Sequence, residues 1–173
     1  MSMSADQAID EYLSNGNTVT TVVGTVLLSP EARRAIYKRL VDEPAAPFHV
    51  LLTQMLAEEV KFRTWISEEI VQDDMNYYEG IYQCAFLLYR VGDARDTLAL
   101  WEAKYINMDV GSSMGAEYFV GAGLDQTLAF LASSPVPQAA EIAAYLHGWF
   151  DQPGAITWQE AWERERASNI ACA

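Results

Sequence analysis

Asp96, Lys104 and Asp109 stand close together in GDARDTLALWEAKYINMDV (92–110), where two carboxylates flank an amine. Drawn into one pocket, such a grouping could do acid–base work for an enzyme. A plainer reading is structural. Leu98, Trp101 and Tyr105 make the apolar face of one helix, and Lys104 follows Trp101 by three residues. A partly buried ammonium needs a partner, so Lys104 is expected to pair with Asp96, Asp109 or Asn107 and brace the following loop.

Other chemistry is thinly represented. His49 and His147 are the only histidines, and neither has the Glu-x-x-His or His-x-x-x-His spacing of a helical metal site. His147, beside Trp149 and Phe150, is expected to pack. There is no Gly-x-Ser-x-Gly elbow, and Cys84 lies in an apolar stretch without a neighbouring cation to activate it. GAG (121–123) lacks the third glycine and the preceding strand of a dinucleotide site. Its glycines suit close helix approach at Gly121 and a helix boundary at Gly123. No metal or cofactor is expected. The paired acids Glu58-Glu59 and Glu68-Glu69 read as a solvated face.

The elements that must position these residues are helical. Ser4 suits the N-cap of a helix over Ala5–Leu13, ended by Asn15-Gly16-Asn17. TVTTVVGTVLL (18–28) is β-branched enough for a lone strand, but no partner strand stands elsewhere, so a helix is expected. Ser29-Pro30 opens a third helix carrying Arg33, Arg34, Lys38 and Arg39 around an apolar face, the only basic element. Helical periodicity runs through 48–71. The next helix, 74–91, would place Met75, Tyr78, Tyr82, Ala85 and Tyr89 on one face of a central element. Gly92 then suits a left-handed terminus and Asp93 the next cap, with Asp96 in the first turn. Further helices are expected at about 116–121, 124–133, 138–150 and 157–167, the last stacking Trp158 on Trp162.

Together these imply one all-α domain of stacked antiparallel helical hairpins, like a short α-solenoid, with N-terminal helices in 1–43 and the main bundle in 48–173. At 173 residues such a chain can bury a core without metal or disulfide. Its longest apolar runs are too short to span a bilayer. Two cysteines and an N-terminus without a basic-then-apolar leader point to the cytoplasm.

The net charge is −13, and no Lys or Arg falls between Lys104 and Arg164. Asp109, Glu117, Asp125, Glu141, Asp151, Glu160 and Glu163 all do. Glu58, Glu59, Glu68, Glu69, Asp73, Asp74 and Glu79 form a second acidic group. Such a field repels nucleic-acid backbones and attracts basic partners.

One long stretch, YYEGIYQCAFLLYRVGDARDTLALWEAKYINMDVGSSMGAEYFVGAGLDQTLAFL (77–131), resembles a family of small helical bacterial proteins. The pattern is an aromatic helix, Gly-Asp and Asp, a Leu-Trp-x-Ala-Lys run with Asn and Asp, then Gly-Ala-Gly with Thr-x-x-x-Leu. It is carried here by Gly92, Asp93, Asp96, Trp101, Lys104, Asn107, Asp109, Gly121, Gly123 and Thr127. The family is associated with immunity genes beside polymorphic toxins, including Rhs and contact-dependent types. The resemblance implies a non-enzymatic immunity protein that occludes the active site of a cognate, basic toxin domain. The expected contact faces are Glu58, Glu59, Glu68, Glu69, Asp73 and Asp74 in one set, and Glu117, Asp125 and Glu141 in the other. The alternatives are a small cytosolic enzyme using Asp96, Lys104 and Asp109, or an acidic DNA-mimic or adaptor.

Overall fold

A computed structural model describes residues 3–73 and 75–173, and among them every regular element is helical. The first three helices are α1 (Ala5–Ser14), α2 (Thr21–Leu27) and α3 (Pro30–Leu40). A 3-10 turn (Ala46–Phe48) leads into α4 (His49–Ser67), followed by α5 (Gly80–Val91) and α6 (Asp96–Lys104). Then come α7 (Met108–Ser113), a 3-10 turn (Ala116–Phe119), α8 (Leu124–Ser133), α9 (Ala139–Phe150) and α10 (Ala155–Cys172). No helix among the described residues is long and apolar enough to cross a membrane.

Local capping explains the N-terminal starts. Ser4 Oγ accepts from the Gln7 N–H while Gln7 returns a bond to the Ser4 N–H, a reciprocal capping box. Thr20 Oγ1 accepts from the Val23 N–H, and Ser29 Oγ from the Ala32 N–H beside Pro30. The β-branched stretch is therefore a capped helix from Thr21, one that buries Val23 and Leu27 at i, i+4. Burial of that stripe outweighs the strand propensity of its residues.

α5 is the centre of the molecule. Every residue from Gly80 to Leu88 is buried, the signature of a helix covered on all sides. α3, α4, α6, α10 and the Ala116–Phe119 turn all pack on it. Consecutive helices also pair, α1 with α2, α4 with α5 and α8 with α9. α5 begins at Gly80 rather than at residue 74. Met75 sits exposed at φ 62°, held in a turn by Asp73 Oδ1 accepting its N–H. Gly80 is where the chain can pass the Glu59 carboxylate, since a Cβ there would lie 2.7 Å from both carboxylate oxygens.

Gly92 closes α5 at φ 78°, as its position after the apolar run implied. Asp93 does not cap α6. Its carboxylate instead accepts from the Arg95 N–H at 2.9 Å, an Asx-type turn that delays the helix to Asp96. Gly121 lies against the end of α5, where a Cβ would collide with the Tyr89 carbonyl oxygen, so close approach does require glycine there. α10 starts earlier and runs further than periodicity suggested. Its tryptophans do not stack on each other. Trp162 packs edge-on to Phe86, Tyr89 and Tyr118, whereas Trp158 is exposed.

Candidate functional site

The residues from 92 to 127 build an internal brace joining α6, α7 and the Ala116–Phe119 turn. Thr97 Oγ1 donates to the Phe119 carbonyl at 2.8 Å in a fully buried bond. Trp101 lies edge-on to Tyr105, Phe119 and Tyr145, with ring centroids 4.9, 5.7 and 5.3 Å away. Asn107 caps α7 by accepting from the Val110 N–H at 2.9 Å, and its amide donates to Ser67 Oγ at 3.1 Å. Thr127 is wholly buried at the start of α8, and Gly123 at φ 88° sets that start.

Lys104 belongs to this brace, but its expected carboxylate partners do not reach it. Its ammonium donates to the carbonyls of Gly111 and of Met114, the latter at 2.7 Å. Carbonyls at the end of the short α7 lack intrahelical donors, so an amine reaching them satisfies both sides without a countercharge. Burial holds the Lys104 amine below its ordinary range, with the Glu117 carboxylate acting in the opposite direction. Asp109 is exposed. Asp96 faces elsewhere, so Asp96, Lys104 and Asp109 are not assembled into one reactive centre.

Asp96 is held by a residue that sequence spacing gave no reason to choose. His49 Nε2 lies 2.8 Å from Asp96 Oδ1, and His49 Nδ1 lies 3.9 Å from Asp93 Oδ2. This cluster ties the first residue of α4 to the first turn of α6. Burial raises the Asp96 carboxyl above its ordinary value, with the His49 bond opposing. The Arg95 guanidinium, 2.9 Å from Asp93 through Nε, lowers the Asp93 carboxyl to about 2. The only sequence signal was the presence of both partners.

A second charged cluster overturns two surface assignments. Arg33 and Glu59 are each 1% exposed, joined Nε to Oε1 at 2.7 Å. Tyr37 donates to the same oxygen at 2.9 Å, and Arg33 Nη1 donates to the Leu27 carbonyl at 2.8 Å. Glu59 therefore belongs to the core and offers nothing to a partner, and Arg33 is no part of a basic face. Both lie on the packing sides of helices where α3 and α4 meet α5, and the pair persists because each charge neutralises the other. Burial raises the Tyr37 hydroxyl and the Cys84 thiol well above their ordinary values. Cys84 thus has no thiolate character for nucleophilic work.

Glu117 is also buried rather than displayed. Its Oε1 accepts from Trp158 Nε1 at 2.6 Å and its carbonyl from Gln159 Nε2 at 3.1 Å, docking α10 on the turn. Glu58 is partly covered and lies 3.7 Å from Lys61. Glu68, Glu69, Asp73, Asp125 and Glu141 are exposed, as expected of a solvated charge. Asp74 lies outside the described residues. His147 does not pack in the core; its ring is open to solvent, 3.9 Å from Asp151.

What composition had not indicated is apolar surface at the α9–α10 junction. Trp149, Ile156 and Trp158 are 38%, 74% and 53% exposed there, in a segment without a Lys or Arg. Among the described residues no group of His, Cys, Asp and Glu could hold a metal ion. Comparison with protein-family models, with curated proteins and with solved structures finds no match to this chain.

Proposed function

We propose that this protein is a cytoplasmic immunity protein that binds a basic toxin domain and covers its active site. One observation carries the reading: the motif residues Trp101, Lys104 and Thr127 turn inward as part of a brace, while the exposed acids of residues 105–163 have no Lys or Arg among them in the chain. Thr97, Trp101 and Lys104 are buried, while Asp125, Glu141 and Asp151 are exposed across α8 and α9. An inhibitor needs a rigid scaffold and a complementary surface, and a negative face speeds encounter with a positive one. Exposed tryptophans beside it supply the apolar anchors that carry most binding energy in such interfaces.

The test is co-expression with the toxin encoded by the neighbouring gene, combined with binding kinetics at low and high salt. Reversing Asp125 and Glu141 should slow association and abolish protection while leaving folding intact, because solvated charges contribute little to stability. Reversing Glu68, Glu69 and Asp73 is the comparison. If both sets protect like the parent, or the parent binds no neighbouring gene product, the reading is wrong.

A further inference from the structure

Trp149 and Trp158 line one cleft of about 290 Å³, with Gln152, Pro153 and Ala155 between them. Gly154 at φ 86° makes the turn that brings the two helix ends together. Cofactor and drug-sized ligands occupy pockets of roughly 300–1,000 Å³, so this cleft suits a single side chain. Neither indole contacts another ring or a cation among the described residues, unlike Trp65, whose face is covered by the Lys61 ammonium at 4.7 Å. Each indole keeps part of its surface exposed.

The electrostatics of the cleft favour a cation. Trp158 donates its N–H to the buried Glu117 carboxylate at 2.6 Å, which polarises the indole and makes its face more negative. Asp151, next to the lining residue Gln152 in the chain, is exposed and lies 3.9 Å from His147. No lysine or arginine stands in residues 105–163, which supply every lining residue of the cleft. Arginine fits better than lysine, because a planar, weakly hydrated guanidinium stacks on aromatic faces. A second copy of this chain is a poor occupant, since each copy carries a net charge of −13.

From this geometry we infer that the Trp149–Trp158 cleft seats an arginine side chain of a basic protein partner. The inference rests on the reading of the protein as a binder of a basic domain, and names the anchor of that contact. Trp149 is the residue to vary, because its indole N–H makes no hydrogen bond among the described residues, whereas loss of Trp158 would strand Glu117.

The experiment is a titration of the full chain with hexa-arginine, read at the indole N–H resonances, with hexa-citrulline as the uncharged isostere. Trp149 and Trp158 should shift saturably with hexa-arginine and not with hexa-citrulline. Trp149→Ala should weaken binding about 3- to 30-fold, the range of a partly desolvated cation–π contact. Unchanged affinity in Trp149→Ala, or equal shifts at the buried Trp101 and Trp162, overturns the inference. So do indole shifts that depend on protein concentration alone, accompanied by a dimer mass in sedimentation. If Trp149→Ala still neutralises the neighbouring toxin at parental affinity, the cleft is not the anchor and the immunity reading stands. If the cleft binds hexa-arginine but no neighbouring product is bound, the immunity reading fails and the cleft stands.

Discussion

Arg33 Nε lies 2.7 Å from Glu59 Oε1 inside the core, with both side chains 1% exposed. Each partner is the other's only countercharge among the described ion pairs, so neither can be removed alone without stranding a buried charge. Glu59→Ala should destabilise the protein by about 3–5 kcal/mol, as for other broken buried pairs. Replacing both, Arg33→Met with Glu59→Leu, should recover most of that loss. Urea unfolding of the two variants checks it, and equal losses in single and double variants would refute the pairing argument. Charge reversal at Glu59 is thus a test of folding and not of partner binding.

Lys104 satisfies the Gly111 and Met114 carbonyls, so Lys104→Met should leave buried acceptors without donors. The expected loss is about 1–3 kcal/mol, the ordinary cost of such groups. Thermal unfolding measures it. Full stability together with loss of a catalytic activity of the purified protein would instead favour an enzyme.

The acid limb of stability should depend on Asp93. Arg95 lowers its carboxyl from 3.8 to about 2, so the folded state holds the proton less tightly than the unfolded chain. The stabilisation is complete above the unfolded value and disappears as pH falls from 3.8 through about 2. Asp96 acts oppositely, because burial raises its carboxyl and its protonation favours the fold as pH falls. Asp93→Asn should therefore flatten the decline of the urea midpoint between pH 4 and pH 2, whereas an unchanged slope would assign acid sensitivity elsewhere. High salt should mimic part of the substitution, since Arg95 is largely exposed.

Gly121→Ala should cost on the order of 1–3 kcal/mol or more, because the added methyl meets backbone rather than a yielding side chain. Gly148→Ala is the control, with open space around its Cβ position. Comparable stability of the two variants would show that the helix end can move away from Tyr89.

Much of the helical framework was legible in local sequence. Ser4 and Ser29 sit where a side-chain oxygen can meet an unpaired helix N–H, and Gly92 where the chain needs a positive φ. The continuous apolar run into Leu88 likewise announced a central helix, because both periodicity and capping act within one or two turns. Charged residues were harder to place. Glu58 and Glu59 are neighbours of one type, yet one is partly exposed beside Lys61 and the other is sealed against Gly80, Arg33 and Tyr37. His49 found Asp96 forty-seven residues away, and Glu117 found Trp158 forty-one away. Those distances are closed only by packing around α5. By itself the sequence determined that the chain is helical, acidic and short of cations over residues 105–163. Tertiary structure alone decided which carboxylates are buried and which tryptophans are open, since burial is set by what other segments cover and local sequence does not contain that information.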